Sequence, residues 1–163
     1  MSDRDRDFAE YFGARSSGMR GTAYLLCGDW HRAEDLVQTA FVKLYRVWDK
    51  LVERDKLDGY TRQILVRTFL DETRRGFFKR ETVTEDTGDH ACPHNGSVED
   101  RLVLLRALTR VPARQRAALV LRYWEDLSLE ETARVMGCSE GTVKSQAARG
   151  LDNLRGLVPT LTR

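Results

Sequence analysis

The helical pattern of the chain is interrupted once, by residues 81–97, which read ETVTEDTGDHACPHNGS. This segment is rich in Thr, Asp, Gly, Asn and Pro and has no apolar periodicity, so it is predicted to be a linker. No stretch on either side alternates apolar and polar residues as a half-buried strand does. A chain of 163 residues divided in this way is predicted to be all-α, with two small helical domains joined by a flexible acidic linker. We expect the domains at residues 1–80 and 99–163 and the linker at 81–98.

Amphipathic helices are predicted throughout the first domain. Apolar residues recur at spacings of three and four over residues 33–47, and Asp29 is placed to cap that helix. Apolar residues over 8–23 indicate an earlier helix, and a later one is expected over 60–75. Aromatic residues expected in the core are Trp30, Trp48 and Phe69, whereas Phe77 and Phe78 are left unassigned.

The second domain contains the pattern of a helix-turn-helix. Ser128 and Glu131 have the spacing of a capping box, in which the two side chains satisfy free amides at a helix start. That helix is expected to end at Gly137, and Ser139 caps a final helix over about residues 140–154. A short helix, a Gly-Cys-Ser turn and a longer helix are typical of the motif. Two further helices are expected before it, at residues 101–109 and 113–124.

The last helix has two chemically distinct sides. At 100° per residue, its apolar side is formed by Val143, Ala147, Leu151 and Leu154. The opposite side carries Thr142, Ser145, Gln146 and Arg149. Hydroxyl, amide and guanidinium groups together suit a helix that reads the major groove of DNA. The alternative is an ordinary solvated surface helix, because polar residues fill most of those.

Charge is distributed in three blocks, although the net charge is only +2. Residues 60–80 hold six basic and two acidic residues, residues 81–100 hold six acidic residues and no Lys or Arg, and residues 101–122 hold six arginines and no acid. This order suggests two modules that face a polyanion, separated by a solvated tether. Three solvated faces would give the same pattern.

Composition excludes several other classes of protein. No apolar run approaches the roughly 20 residues of a membrane-spanning helix, and the start of the chain lacks the apolar stretch of a secretory signal. Three widely spaced cysteines are expected to be free thiols, which favours the cytoplasm. His90, Cys92 and His94 alternate within the linker, but a zinc site would need further ligands from elsewhere. We therefore expect no metal, no cofactor and no catalytic set, and hence no enzyme.

Two strings resemble a known family. Residues 111–145 run from VPARQR to SEGTVKS and are similar to the fourth region of sigma factors of the sigma-70 family, in the extracytoplasmic-function class. AEDLVQTAF at 33–41 is similar to a motif of the second region. Nearly the whole chain resembles this class, and in particular its actinobacterial SigE-like subfamily.

The resemblance implies partners and site residues. Core RNA polymerase would be bound through its beta-prime clamp helices and its beta flap, and promoter DNA at two elements. Clamp-contacting candidates are Asp35, Gln38 and Thr39. Candidates for reading the minus-ten element are Tyr60, Gln63, Arg67, Arg74 and Arg75. Candidates for reading the minus-thirty-five element are Thr142, Lys144, Ser145, Gln146 and Arg149. An anti-sigma factor is a further partner that the family implies, and no membrane is expected.

Some positions depart from the family pattern. Many members have Trp in place of Tyr60, Asn in place of Arg67 and Arg in place of Gln146, so the promoter sequence cannot be borrowed from relatives. Asp71 is interpreted as the partner of Arg75 in a helix-stabilising pair rather than as a DNA contact. The alternative function is a stand-alone helix-turn-helix regulator whose N-terminal helices bind a signal or dimerise, but such a protein would not need the motif at 33–41.

Overall fold

The computed structural model describes residues 1–51, 53–76 and 98–158. Within these ranges all regular structure is helical, and the α-helices are α1 (Asp3–Cys27), α2 (Trp30–Arg46), α3 (Leu57–Gly76), α4 (Val98–Thr109), α5 (Ala113–Leu119), α6 (Leu129–Met136) and α7 (Glu140–Leu157). The all-α prediction is confirmed. Residues 81–97 of the predicted linker lie outside the described residues, as do Phe77, Phe78, His90, Cys92 and His94.

Helix boundaries follow the local capping chemistry that the sequence predicts. The Asp29 carboxylate accepts the His31 amide at 2.8 Å, which confirms it as the cap of α2. Both halves of the capping box between Ser128 and Glu131 are present at the start of α6. Ser139 caps α7 by accepting the Thr142 amide at 3.1 Å. These side chains satisfy amides that the first helical turn leaves without partners.

The first three helices pack around a core of aliphatic and aromatic side chains. Phe8 from α1 packs edge-on against Trp48, with ring centroids 5.3 Å apart. Trp48 and Phe69 are buried, as predicted. Trp30 is half-buried instead and stacks on Tyr24 with ring centroids 4.1 Å apart. This core fixes α2 and α3 relative to each other.

In the second domain, α7 lies on α5. Val143 is fully buried, and Ala147, Leu151 and Leu154 pack against the core from half-buried positions, as the helical wheel predicts. Gly150 lets α7 approach α5 closely, because a Cβ at this position would lie 3.0 Å from the Leu119 side chain.

The helix predicted over residues 113–124 is α-helical only to Leu119. Its last turn, Val120–Trp124, widens into a π-helix, and the amide of Glu125 then donates to the Val120 carbonyl at 3.0 Å. Asp126 follows in the left-handed region at φ 54°, where an Asp is tolerated better than most residues. The chain then turns into α6.

The two helical groups pack directly against each other. Their buried apolar side chains form one continuous cluster that includes Leu26 and Phe69 on one side and Val111 and Leu121 on the other. Arg116 reaches across this boundary and donates to the Leu26 carbonyl at 2.5 Å. Among the described residues, no helix combines the length and the apolar character needed to cross a membrane.

Candidate nucleic-acid interface

The polar side of α7 is open to solvent at most of its predicted reading positions. Lys144, Ser145 and Arg149 are exposed, whereas Thr142 and Gln146 are half-buried. The Thr142 hydroxyl lies 2.9 Å from the hydroxyl of Ser139, so it takes part in the start of the helix. The structure therefore brings these five positions together on one helix, with three of them freely available to a ligand.

Two of the five candidate residues on α3 are half-buried, as are two of the five on α7. Tyr60 is half-buried and packs against the apolar cluster, and Gln63 is half-buried as well. Tyr60 therefore contributes to the fold, a role that the sequence analysis did not give it, and its role in reading DNA stays a prediction. The difference arises because α3 has packing partners on several sides.

Arg67 is exposed on α3, and its guanidinium also contacts α6. Its Nε donates to the Val135 carbonyl at 3.2 Å, and one Nη donates to the Arg134 carbonyl at 3.0 Å. Both carbonyls belong to the last turn of α6, where a helix leaves such groups without internal partners. Arg67 stays exposed while it makes these two hydrogen bonds, and its role in reading DNA stays a prediction.

The end of α3 remains exposed. Arg74 donates to the Asp71 carboxylate at 3.1 Å, which makes an i,i+3 pair. Asp71 thus has the intrahelical role that the sequence indicates, but its partner is Arg74, and the prediction that it pairs with Arg75 is corrected. Arg75 itself is exposed.

A third candidate surface lies on α2. Asp35 and Gln38 are exposed, whereas Thr39 is only half-exposed. The opposite side of the same helix is buried through Leu36, Ala40 and Leu44. This helix therefore has the predicted division into a packed side and an open side.

The arginine-rich block at 101–122 does not simply face a polyanion. Arg116 donates to the carbonyls of Val111 and Thr109, at 2.7 and 2.8 Å, in addition to that of Leu26. Burial lowers the pKa of its guanidinium to about 10. Arg122 donates to the Leu127 carbonyl at 2.5 Å. At least two arginines of this block hold main-chain carbonyls within the fold.

Sequence reasoning missed a polar cluster between the two helical groups. The Glu125 carboxylate lies 3.2 Å from an Nη of Arg62 on α3, and it also accepts the hydroxyl of Thr22 on α1. Arg62 and Glu125 keep only 18% and 17% of their side-chain surface exposed. The opposite charges of the two residues are visible in the sequence, but nothing local indicates that they meet.

Cysteine and acidic residues form no metal site in the described ranges. No group of three or more His, Cys, Asp or Glu side chains there could hold a metal ion. The Cys27 thiol donates to the Asp29 carbonyl at 3.2 Å, and burial raises its pKa. This thiol therefore contributes to the turn between α1 and α2.

Comparison with known proteins gives two family matches in the order of the two helical groups. The model of sigma-70 region 2 matches residues 15–76, and that of sigma-70 region 4 matches residues 101–154. The chain is 36% identical over 150 residues to the RNA polymerase sigma-E factor of Streptomyces avermitilis, covering 91% of this chain and 83% of that protein. It is 34% identical over 152 residues to the sigma-E factor of Streptomyces coelicolor, covering 91% and 84% respectively.

A solved structure supports the same grouping. It is the sigma factor RpoE of Bartonella quintana, crystallised in complex with the anti-sigma factor NepR. The similarity has a TM-score of 0.76 at 26% identity and covers 94% of this chain and 98% of that one. Because a single superposition covers both helical groups, their relative arrangement is similar as well as their individual folds.

Proposed function

The chain belongs to the sigma-70 family of RNA polymerase sigma factors, in its extracytoplasmic-function class, and we propose that it is a dissociable initiation subunit whose α3 and α7 read different promoter elements. The observation that supports this best is the presence of both regions on one chain. A helix-turn-helix would suffice for a stand-alone regulator, but a region 2 domain would have no role in one. We assign residues 1–80 and 99–163 to the two domains and 81–98 to the linker between them.

We assign reading of the minus-thirty-five duplex to α7. Gln146 has an amide that can pair with an adenine edge, and Arg149 has a guanidinium that can bind guanine or a phosphate. Lys144, Ser145 and Thr142 add contacts to the DNA backbone, which position the helix without reading the sequence. The exposure of Lys144, Ser145 and Arg149 supports this assignment.

We assign the minus-ten element to α3. An unpaired base is held by stacking and hydrogen bonds while cations hold the backbone, and α3 carries both kinds of group. Arg74 and Arg75 lie at its exposed end, and Tyr60 and Gln63 lie at its half-buried start. Arg67, which is exposed and also hydrogen-bonded to α6, belongs to the same set.

The open side of α2 is our candidate for contact with the polymerase clamp, through Asp35, Gln38 and the less exposed Thr39. Replacing Asp35 by Arg and Gln38 by Ala should weaken binding of core polymerase by about tenfold or more, because the charge reversal places like charges opposite each other at the interface. The melting temperature should barely move, since exposed substitutions change stability by less than about 0.5 kcal/mol.

Asp152→Arg is the matched control, because it makes the same charge reversal at an exposed carboxylate of α7 that pairs with Arg155 of the same helix. Binding of core polymerase, followed by fluorescence anisotropy, should be unaffected by this control. An Asp35 and Gln38 variant that binds as tightly as the parent would remove α2 from the docking surface.

In this proposal the chain itself is not an enzyme, because RNA synthesis belongs to the polymerase. It acts in the cytoplasm, where the bacterial polymerase and chromosome are found. We also propose an anti-sigma partner, supported by the similarity to a sigma factor that was crystallised with one. No cofactor is invoked for any of these roles.

Run-off transcription tests the proposal as a whole. Core polymerase alone should give no product from a cognate promoter, and addition of the chain should give a discrete transcript. The isolated chain should bind the same duplex only weakly, since each domain offers few contacts. Tight and specific duplex binding without polymerase, together with no transcript in its presence, would favour the stand-alone regulator.

A further inference from the structure

We propose that Lys43 is a positioning residue, whose hydrogen bond to Thr68 sets the orientation of α3 on α2 for reading of the minus-ten element. The Lys43 ammonium donates to the Thr68 hydroxyl at 3.0 Å, across 25 residues of sequence. The bond joins the helix that we propose to dock on the polymerase to a helix that we propose to read DNA. The role of Lys43 in reading rests on the proposed function, whereas the hydrogen bond itself does not.

Lys43 continues a row of positions on α2 that begins with two of the clamp-contacting candidates. Asp35, Thr39 and Lys43 follow one another at intervals of four residues, and a helix places such positions one above the other on the same face. Asp35 is exposed and Thr39 is half-exposed. The row therefore leads from the proposed docking surface to a contact with α3.

Thr68 is a buried residue close to two candidates for DNA contact on α3. It keeps only 4% of its surface exposed. Arg67 directly precedes it, and Arg75 lies seven residues later, which is two helical turns further along. Both arginines are exposed. A small rotation of α3 about its own axis would therefore move both guanidinium groups relative to α2.

The hydrogen bond adds a directional restraint to an apolar interface. Both helices contribute apolar side chains to the same core, including Ala40 and Leu44 of α2 and Leu65 and Phe69 of α3. Burial of apolar surface is favourable but has no preferred direction. A hydrogen bond has a preferred distance and angle, and one with an ammonium donor is stronger than a neutral one. The bond from Lys43 is therefore suited to fix the rotation of α3.

Two other roles for Lys43 lead to different expectations. An exposed lysine can hold a DNA phosphate as a point charge, and it can also contact the polymerase directly. Both of these roles need the ammonium but not the Thr68 hydroxyl. Variants of Thr68 therefore separate positioning from direct contact.

Thr68→Val is the main test, because it removes the hydroxyl, keeps the shape of the side chain and leaves Lys43 in place. Permanganate footprinting with core polymerase should show about fivefold less opening of a paired template, since the net contribution of one hydrogen bond is of this order. Opening should recover on a pre-melted template, where the cost of melting has been removed. Affinity for core polymerase should match that of the parent, because the clamp-contacting candidates are unchanged.

Thr73→Val is the matched control. It makes the same substitution on the same helix, at a half-buried threonine whose hydroxyl donates to the Phe69 carbonyl of α3 itself at 2.9 Å. The urea midpoints of Thr68→Val and Thr73→Val should be similar, because each variant loses one hydroxyl hydrogen bond. Only Thr68→Val should open the paired template less well than the parent. Equal opening by the two variants would overturn the proposal.

Thr68→Ser is the conservative variant. It keeps the hydroxyl that accepts from Lys43 and loses only a methyl group, so it should open the paired template as the parent does. If Thr68→Ser is as defective as Thr68→Val, the methyl group matters rather than the hydrogen bond, and the positioning role of Lys43 is refuted.

Lys43→Met provides an independent test at an exposed position, where a substitution disturbs folding less. It should reproduce the opening defect of Thr68→Val. The double variant should be no worse than either single variant, because both substitutions remove the same bond. A defect in opening or in polymerase affinity that Lys43→Met shows and Thr68→Val does not would assign Lys43 to a direct contact and overturn its positioning role.

Failure of this proposal can be distinguished from failure of the proposed function. A parent that gives no run-off transcript with core polymerase refutes the proposed function, and the role of Lys43 with it. A parent that gives the transcript, together with a Thr68→Val variant that opens the same promoter equally well, refutes the positioning role alone.

Discussion

The two helices that we propose to read DNA, α3 and α7, differ in how many neighbours hold them. α7 packs mainly on α5 and α6, where Val143 and Gly150 are buried and Asn153 donates to Gln115 at 2.6 Å. α3 is held on several sides, by Tyr11 from α1, by Lys43 from α2 and by the last turn of α6. Both helices keep three of their five candidate positions exposed, so the difference between them lies in how firmly they are anchored.

This difference fits two kinds of recognition. A helix that reads an intact duplex can be presented ready-made, because the major groove admits it without change in either partner. A helix that captures unpaired bases acts only after DNA has been opened. An α3 that is anchored to several other helices is compatible with that later step.

The largest effect is expected where α7 meets α5. Gly150→Val adds side-chain atoms at a position where even a Cβ would lie 3.0 Å from Leu119 and 3.3 Å from the Gln115 carbonyl. Overpacking of this kind costs about 1–3 kcal/mol and should tilt α7, so unfolding in urea should occur at lower concentration. Recognition of the upstream duplex should fall as well.

Gly156→Val, on the same helix, is the control for that prediction. A Cβ at Gly156 meets nothing within 4 Å, so the same substitution should leave the urea midpoint almost unchanged. Equal behaviour of the two variants would show that α7 does not depend on close packing at Gly150, and the contrast with α3 would then be weaker.

A smaller effect is expected where α3 is anchored to α1. The Tyr11 hydroxyl donates to the Asp58 carboxylate at 2.9 Å and lies 2.9 Å from the Thr61 hydroxyl. Burial, together with the hydrogen bond to Asp58, raises the pKa of Tyr11 to about 12, above the ordinary value of 10. The stabilisation by neutral Tyr11 is therefore complete below pH 10 and is lost as the pH rises towards 12.

Tyr11→Phe should lower the free energy of unfolding at neutral pH by about 1 kcal/mol and should flatten its decline between pH 10 and 12. The Tyr45 hydroxyl donates to Asp5 at 2.6 Å, and this bond raises the pKa of Tyr45 as well. The proteins with Tyr11 and with Tyr11→Phe are therefore both prepared with the additional substitution Tyr45→Phe, so that only Tyr11 differs between them. If the free energy of unfolding falls equally steeply between pH 10 and 12 in both proteins, Tyr11 does not anchor α3.

Local chemistry made much of the fold predictable. Caps at Asp29, Ser128 and Ser139 depend on residues within three positions of each other, so their spacing in the sequence is sufficient. The packed and open sides of α7 follow from helical periodicity for the same reason. The i,i+3 partner of Asp71 was missed because Arg74 and Arg75 both lie within reach of its carboxylate.

Long-range contacts could not be predicted in the same way. The partners of Arg67 are main-chain carbonyls of another helix, and every residue type offers such a carbonyl. Burial of Tyr60 and of Arg116 depends on how the helices pack together. The widened turn at Val120–Trp124 has no sequence signal that we can identify. The candidate site on α7 was therefore more predictable than that on α3.

Our central claim is that α7 and α3 act at different steps of initiation, and permanganate footprinting of unpaired thymines tests it most directly. Gln146→Ala should weaken binding to the upstream element by about 1–3 kcal/mol and relax the base preference there. The same defect should be seen on a pre-melted template. Arg75→Ala, chosen because Arg67 also binds main-chain carbonyls of α6, should reduce opening of a paired template, and activity should recover on a pre-melted one. The claim is contradicted if Gln146→Ala reduces promoter melting as much as Arg75→Ala does and leaves the sequence preference at the upstream element unchanged.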